Sequence, residues 1–244
     1  MNLAVIIPIY KRHDLTRLCF EHLKIQQDKF GFDVFIAGSE GSVSRLLAEG
    51  FGFNYIEVEN NPLGAKFNSL LSLCVDHDGV VVLGSDDFLP DRAWKLYYTL
   101  DMSKKKIYGF AGCYFYSTKR KTLNLFQYKG SIKTIGAGRL YNKATLDAVH
   151  WKLWTDTQPR GLDTDAMTRC LASGCSETIL DQVTLIDVKH SHNITSHAIA
   201  MIGSYVDSSI IERDFGKEFT EKLNALNYSS GNDQIKISLK KKVA

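Results

Sequence analysis

The sequence lacks a long hydrophobic run: none of its stretches approaches the roughly 18 consecutive apolar residues of a membrane-spanning helix. The chain passes from Met1 straight into an apolar strand pattern, without the basic, apolar and small-residue regions of a secretory signal. We therefore expect a cytosolic protein. With 44% hydrophobic and 23% charged residues among 244, the chain can bury a full core and is expected to be globular.

Cysteine pairs with metal-binding spacing are also missing. The five cysteines are scattered, odd in number and never spaced as Cys-x-x-Cys. Free cysteine in apolar surroundings behaves as a small hydrophobe, so the pattern disfavours both disulfides and a structural zinc site.

The net charge is low, at +3, but it is unevenly distributed. Residues 1–100 contain 9 basic and 13 acidic residues, whereas residues 101–244 contain 21 basic and 14 acidic ones. Three basic clusters lie in the second half: Lys104–Lys106, Lys119–Lys121 and Lys240–Lys242. Such clusters attract polyanions, nucleic acid included, although lysine runs are more often solvated surface.

Apolar patterning predicts an alternation of strands and helices in the first third of the chain. Strands are predicted at 3–9, 34–37, 53–58 and 80–83. One helix is predicted after Asp14, which would be its N-cap, and another is predicted from Gly64. This alternation favours a parallel α/β sheet. Further on, the pattern predicts helices at 94–102, 143–149, 164–172 and much of 196–226, and strands at 108–116, 124–129 and 184–188.

Two adjacent carboxylates, Asp86 and Asp87, follow the apolar strand pattern at 80–83, just before Pro90. In open α/β sheets, ligands bind beyond the carboxyl ends of the strands. Hard carboxylate oxygens at this edge suit a divalent cation that carries a nucleotide phosphate. The sequence therefore predicts metal-assisted chemistry on a nucleotide.

Six segments, in this order, resemble the motifs of the GT-A-fold nucleotide-sugar-dependent glycosyltransferases, in particular inverting family 2. They are residues 5–12 (Val-Ile-Ile-Pro-Ile-Tyr-Lys-Arg), 39–42 (Ser-Glu-Gly-Ser), 60–68 (Asn-Asn-Pro-Leu-Gly-Ala-Lys-Phe-Asn), 84–87 (Gly-Ser-Asp-Asp), 160–167 (Arg-Gly-Leu-Asp-Thr-Asp-Ala-Met) and 187–194 (Asp-Val-Lys-His-Ser-His-Asn-Ile). The resemblance implies a GT-A type α/β fold, with a mostly parallel sheet flanked by helices. Residues 1–195 would form the glycosyltransferase domain, with a donor half at 1–100 and an acceptor half at 101–195. Residues 196–244 would be a helical C-terminal extension with a basic tail.

The resemblance also implies a binding site for the nucleotide sugar. The opening strand and turn line the nucleobase pocket, and Glu40 falls where the family has an aspartate that contacts the base. The glycine turn before Lys66 offers free N–H groups, a helix dipole and a point charge to phosphate. The implied donor site comprises Pro8, Tyr10, Arg12, Glu40, Asn61, Lys66, Asn68, Ser85, Asp86 and Gly138, the last from the turn Gly136-Ala137-Gly138-Arg139.

The implied cofactor is Mn²⁺ or Mg²⁺. The segment 84–87 resembles the family's Asp-x-Asp motif, but glycine occupies the first aspartate position, which leaves Asp86 as the surviving ligand. Enzymes of this fold often place a third metal ligand after the strand at 184–188, and His190 and His192 both fit that place. His190 is preferred.

The implied general base lies in the segment 160–167. An inverting transfer needs a carboxylate that takes the proton from the acceptor hydroxyl as it attacks the anomeric carbon. Asp163 is the first candidate and Asp165 the rival, since both fall in a first helical turn where a carboxylate can also be a cap. Trp151 and Trp154 nearby fit either a platform for an acceptor ring or the core.

We therefore expect a metal-dependent inverting glycosyltransferase that uses a nucleotide diphosphate sugar, with uridine as the favoured base, and a hydroxyl acceptor. The basic second half also fits a polyanionic acceptor, such as modified DNA or an anionic glycan. Two alternatives are a nucleic-acid-binding module without catalysis and a sugar nucleotidyltransferase. The latter is disfavoured because residues 8–12 lack the glycine-rich loop that such enzymes place after the first strand.

Overall fold

The computed structural model describes residues 1–128, 133–180, 185–190 and 203–226. Strands and helices alternate over the first third of the described chain and are mixed beyond it. The strands are β1 (Leu3–Pro8), β2 (Asp33–Gly38), β3 (Asn54–Glu57), β4 (Gly79–Val82), β5 (Asp87–Phe88), β6 (Lys106–Gly109), β7 (Gly112–Ser117), β8 (Thr122–Gln127), β9 (Arg139–Asn142), β10 (Ser176–Ile179), β11 (Leu185–Lys189) and β12 (Ser204–Val206). The helices are α1 (His13–Phe30), α2 (Ser42–Glu49), α3 (Leu63–Leu71), α4 (Asp91–Tyr97), α5 (Lys143–Ala148), α6 (Leu162–Ala172), α7 (Ser209–Phe215) and α8 (Lys217–Ala225).

The main sheet has seven strands in the order β10-β6-β9-β4-β1-β2-β3. The strands β3, β2, β1 and β4 pair in parallel, β9 runs antiparallel to β4 and β6, and β10 pairs in parallel with β6. In β1, every residue from Leu3 to Ile7 is fully buried, as expected for a parallel strand that is covered on both faces. This arrangement confirms the predicted α/β sheet.

A second sheet of five strands, in the order β12-β8-β7-β11-β5, adjoins the first. The chain leaves β4, turns through residues 83–86, and enters the second sheet as β5 at Asp87. There β5 pairs antiparallel with β11, which places Asp87 opposite Asp187. The two acidic residues predicted at a strand end therefore lie where the two sheets meet.

The core lies on both faces of the main sheet, because side chains of β1 alternate between them. Leu3, Val5 and Ile7 pack on one face with apolar residues of α1 and α4, which include Trp94 stacked on Phe32. The other face packs against α3, α5 and α6. No helix in the described ranges combines the length and the apolar composition needed to cross a membrane. All five cysteines are buried thiols.

The structure corrects several predicted elements. The strand predicted at 108–116 is wrong, since β6 and β7 divide near Phe110 and join different sheets. The helix predicted at 94–102 begins at Asp91 and ends at Tyr97. Asp14 is not the N-cap of α1, because Arg12 takes that position and Asp14 lies in the first turn.

In the region after 195, α7 and α8 are helical as predicted, whereas Ser204–Val206 is a strand. His192 and Lys240–Lys242 lie outside the described residues. The division into a domain at 1–195 and an extension stays a prediction.

Candidate active site

A cleft of about 780 Å³ opens at the carboxyl ends of β1 and β4. It is bounded by the end of β1, the start of α3, the turn at 83–87, the loop and first turn of α6 at 159–164, and β11. The charged residues that line it are Arg12, Lys66, Arg160, Lys189, Asp86, Asp87, Asp163 and Asp187. Its size is that of a site for a small organic ligand.

Asp86 is held by the first strand–helix unit of the chain. Its Oδ2 accepts a hydrogen bond of 2.7 Å from Nη1 of Arg12, while Nη2 of Arg12 donates to Ser85 Oγ at 3.1 Å. Burial on its own raises the pKa of Asp86, but the charges of Arg12 and Lys189 outweigh it, so the pKa lies below its ordinary value. Asp86 is therefore a fixed anion at neutral pH.

The other two acidic residues of this junction hold protons more tightly. Asp87 Oδ2 accepts a 2.6 Å hydrogen bond from Gly84 N, and burial together with the nearby carboxylates of Asp187 and Asp86 raises the pKa of Asp87 well above its ordinary value. Burial also raises the pKa of Asp187 to about 6, although Lys189 Nζ lies 2.6 Å from its Oδ2 and opposes the shift.

The carboxylates of Asp86 and Asp87 lie close to the first position of the turn at 84–87. A Cβ on Gly84 would lie 2.5 Å from Asp86 Oδ1 and 2.9 Å from Asp87 Oδ2, closer than real Cβ contacts. An aspartate at position 84, as in the Asp-x-Asp motif, would therefore force these two carboxylates to move.

Of the two expected metal ligands, Asp86 lines the cleft and His190 does not. The side chains of Asp187 and Lys189 line the cleft, whereas the next residue, His190, is buried with its Nε2 3.9 Å from Asp14 Oδ2. Within the described residues, no group of three or more histidine, cysteine, aspartate or glutamate side chains is arranged to hold a metal ion. Asp86 and His190 alone do not make the expected Mn²⁺ or Mg²⁺ site, since Arg12 already bonds to Asp86 Oδ2, and the other candidate ligand, His192, lies outside the described residues.

The two candidate bases, both in the first turn of α6, have different surroundings. Asp163 lines the cleft, and its Oδ2 accepts a hydrogen bond of 3.2 Å from Gly136 N. Asp165 points elsewhere, because its carboxylate accepts from the N–H of Thr155 at 2.6 Å and from its hydroxyl at 3.2 Å. Only Asp163 is therefore placed to meet a ligand in the cleft, while Asp165 anchors the preceding loop.

Gly136, rather than Gly138, is the glycine that faces this site. A Cβ on Gly136 would lie 1.9 Å from Asp163 Oδ1, so a side chain there would displace the carboxylate. Gly138 lies behind the cleft against Phe110, and its carbonyl accepts a hydrogen bond from Tyr97. The Gly-x-Gly pattern points to this turn, but only the three-dimensional contact identifies which glycine matters.

Lys66 lines the cleft from α3, but its ammonium is already bonded within the protein. Its Nζ donates to Ile9 O at 2.8 Å, Asn60 Oδ1 at 3.2 Å and Ser39 Oγ at 3.4 Å. Burial lowers the pKa of Lys66 to about 8. These contacts tie the start of α3 to the end of β1.

Pro8 and Ser85 line the cleft, whereas four other predicted donor residues do not: Tyr10, Glu40, Asn61 and Asn68. Glu40 accepts from Lys11 N at 2.7 Å and lies 3.3 Å from His13 Nε2, and Tyr10 is 41% exposed. Asn61 is exposed, and Asn68 bonds to Trp154 and Asp156 in the loop before α6. Trp154 is buried and packs on Phe67 with ring centroids 4.7 Å apart, and both residues also line the cleft.

Two charged residues of the site, Asp187 and Lys189, were not among the predicted site residues. Both lie in β11, whose sequence Leu-Ile-Asp-Val-Lys alternates apolar and charged residues after its first position. Because side chains alternate across a strand, this pattern could have placed both charges on one face. What sequence alone could not show is that this face meets Asp86.

No protein-family model and no curated protein sequence matches the chain. A Drosophila beta-1,4-galactosyltransferase 7 variant, solved with manganese, UDP-Gal and xylobiose, aligns with a TM-score of 0.50 at 12% identity, covering 94% of this chain and 82% of that one. A mannosyltransferase from Pyrobaculum calidifontis, in complex with GDP-Man and Mn²⁺, aligns with a TM-score of 0.51 at 14% identity over 81% of this chain.

The chain spans 59% of the length of that mannosyltransferase. A third structure, a CMP-2-keto-3-deoxy-manno-octonic acid synthetase with CTP, aligns with a TM-score of 0.48 at 12% identity, covering 82% of this chain and 96% of that one. The first two similarities confirm the GT-A-like fold of this chain. At these identities they show the fold alone.

Proposed function

We propose that this chain is a glycosyltransferase that moves a sugar from a nucleoside diphosphate donor to a hydroxyl acceptor. One observation carries the proposal: Asp163 and the Arg12–Asp86 pair line the same cleft, at the carboxyl edge of a GT-A-like sheet. A base and an anion-binding cation in one cleft are what such a transfer needs. The nucleotide sugars in the two structures of similar fold support this donor class.

On the donor side, the diphosphate is assigned to the acidic junction, where two cations are each paired with a carboxylate. Arg12 and Lys189 lie there, and the N-terminus of the 18-residue helix α1 adds the positive end of its dipole. Asp86 then acts as a positioning residue, because it holds the Arg12 guanidinium in place. The steps of the proposed transfer are assigned to side chains of the described residues.

On the acceptor side, Asp163 is the proposed general base. Its carboxylate takes the proton of the acceptor hydroxyl while the oxygen attacks the anomeric carbon, and the diphosphate leaves from the opposite face. A single displacement of this kind inverts the anomeric configuration. Asp163 keeps its place through Gly136 N, and the absence of a side chain at Gly136 leaves room for it.

The acceptor is proposed only as a hydroxyl compound. Neither Lys104–Lys106 nor Lys119–Lys121 lines the cleft, so the described site does not select a polyanion over other acceptors. The uridine base and an acceptor such as modified DNA or an anionic glycan stay predictions. No observation on the described residues favours the nucleotidyltransferase or the purely nucleic-acid-binding alternative.

The test is release of nucleoside diphosphate from a panel of UDP-, GDP-, CDP- and ADP-sugars, with and without an acceptor hydroxyl. Asp163→Asn keeps the shape and the Gly136 contact but removes the base, so turnover should fall about 10²–10⁴-fold. Asp28→Asn, an exposed carboxylate on α1, is the matched control and should keep full turnover. If no nucleotide sugar binds or turns over, or if Asp163→Asn is fully active, the proposal is wrong.

A further inference from the structure

The backbone before α1 directs Arg12 into the acidic junction. Lys11 and Arg12 both adopt the left-handed conformation, with φ of 56° and 53°, which is uncommon for residues other than glycine. Arg12 also takes the N-cap position of α1, where it makes no side-chain capping bond. Its guanidinium instead reaches Asp86 and Ser85 at the end of the neighbouring strand. Consecutive strained residues of this kind are typical of ligand sites.

Arg12 retains hydrogen-bonding capacity in this position. Of its five N–H donors, one goes to Asp86 and one to Ser85, and the Nε–H is buried without an acceptor among the described residues. A buried donor without a partner is unfavourable, so an incoming anionic oxygen would satisfy it. The rigid, planar guanidinium suits phosphate oxygens, which it can bind with two parallel bonds.

Lys189 brings a second cation to the same point from the other sheet. It lies in β11 beside the 84–87 turn, since β11 pairs with β5 at Asp187 and Asp87. Its ammonium is buried, bonds to Asp187 Oδ2 at 2.6 Å and acts electrostatically on Asp86 as well. The two cations therefore approach Asp86 from opposite sheets.

The guanidinium of Arg12 occupies the position that a divalent ion on Asp86 Oδ2 would take. A hard cation bound to a carboxylate oxygen lies about 2.0–2.6 Å from it, and Arg12 Nη1 already lies 2.7 Å from Oδ2. A further carboxylate at position 84 would need a Cβ only 2.5 Å from Asp86 Oδ1, so Asp86 would have to move. Fixed side-chain cations thus stand where a metal would be expected.

We infer that Arg12 and Lys189 bind the donor diphosphate directly, so that nucleoside diphosphate binding needs no divalent cation. The inference rests on the proposed function and adds the groups that neutralise the leaving group. When the bond between the anomeric carbon and the diphosphate oxygen breaks, the electron pair stays on that oxygen and meets the two cations. The proton of the acceptor hydroxyl goes to Asp163. Preorganised cations at a developing charge stabilise it without reorganisation.

The test is isothermal titration of the whole chain with UDP, GDP, CDP and ADP, once in EDTA and once with Mn²⁺. At least one of these nucleotides should bind, with affinities that differ less than about 3-fold between the two conditions. Arg12→Gln and Lys189→Gln, each checked for folding by circular dichroism, should weaken binding about 10-fold or more. Arg17→Gln, an exposed arginine of α1, is the matched control and should leave affinity unchanged.

The outcomes separate this inference from the proposed function. Binding that appears only with Mn²⁺, or strengthens about 10-fold with it, overturns the inference and leaves the function standing. Unchanged affinity in a folded Arg12→Gln variant also overturns it. If none of the four nucleotides binds in either condition, the proposed function itself is contradicted. Because Lys189 is buried and its variant can fail to fold, the Arg12 variant decides the question alone.

Discussion

Arg12 and Asp86 are 74 residues apart in the chain, and their side chains meet at 2.7 Å between Nη1 and Oδ2. The pair joins the start of α1 to the turn that connects the two sheets. Both side chains are mostly buried, at 12% and 17% exposure. Removing one partner of such a pair leaves the other as a poorly solvated charge, which costs far more than the pair contributes.

A double-mutant cycle should therefore show strong coupling. Arg12→Gln and Asp86→Asn are each expected to lower the free energy of unfolding by about 2–4 kcal/mol, and the double variant by less than their sum. Urea unfolding in EDTA measures all four proteins. Additive effects of the two substitutions would contradict the pairing. A gain in stability in Asp86→Asn would contradict it as well, because that gain is expected when a carboxylate of an empty metal site is removed.

Restoring the family's first aspartate should not create a metal site. In Gly84→Asp, the new Cβ would start 2.5 Å from Asp86 Oδ1, so the turn at 84–87 has to distort. We expect the melting temperature to fall and Mn²⁺ affinity, measured by titration of the metal alone, to stay as weak as in the parent chain. Gly50→Asp, a substitution at the exposed end of α2, is the control for a carboxylate added at a glycine. Tight Mn²⁺ binding by Gly84→Asp alone would show that the turn accepts a metal.

The parts of the fold that could be predicted are those with a local signature. β1 and β4 are buried on both faces and therefore read as continuous apolar runs, and the repeating face of α3 is visible in its sequence. β9 (Arg-Leu-Tyr-Asn) and β10 (Ser-Glu-Thr-Ile) have four residues each and mixed polarity, so they carry no such signature. Their pairing partners in the sheet, not their own residues, make them strands.

In the candidate site, too, contacts between distant residues could not be predicted from the local sequence. Asp163 and Asp165 stand two residues apart in one helical turn, and the choice between them depends on Gly136 and Thr155, which contact one carboxylate each. The position of Asp86 after a strand could indicate that it lies at the cleft, because ligands bind at the carboxyl ends of the strands. It could not show that Arg12 is bonded to Asp86, since that contact depends on how the start of α1 is oriented.

Neutralising each of the two carboxylates of α6 should change the free energy of unfolding by different amounts. Asp165→Asn weakens the bonds from the N–H and hydroxyl of Thr155 by removing the charge, so we expect the free energy of unfolding to fall by about 1–2 kcal/mol. Asp163→Asn should change it by less than about 0.5 kcal/mol, as for a side chain in an open cleft. Urea unfolding of both variants is the measurement, and the reverse ranking would make Asp165 the candidate base.

Lys66 should give the chain a distinctive stability profile at alkaline pH. Burial lowers its pKa from 10.5 to about 8 in the folded state, so between these values the folded chain loses the proton before the unfolded chain does. Because the unfolded state then binds more protons, Lys66 makes folding more favourable as the pH rises through this window, by about 2–3 kcal/mol in total. Buried tyrosines and cysteines with raised pKa values act in the opposite direction, so the profile of the parent chain alone does not isolate the effect.

The difference in the free energy of unfolding between the parent chain and Lys66→Met isolates the contribution of Lys66. The variant loses the bonds to Ile9 and Asn60 and should be less stable throughout, but the stability gap should widen as the pH rises from about 7 to about 10. Urea unfolding at several pH values measures the gap, and Lys95→Met, an exposed lysine of α4, should show a constant one. A gap for Lys66→Met that stays constant or narrows would mean that the folded protein keeps this ammonium charged, because its three oxygen acceptors then outweigh the cost of burial.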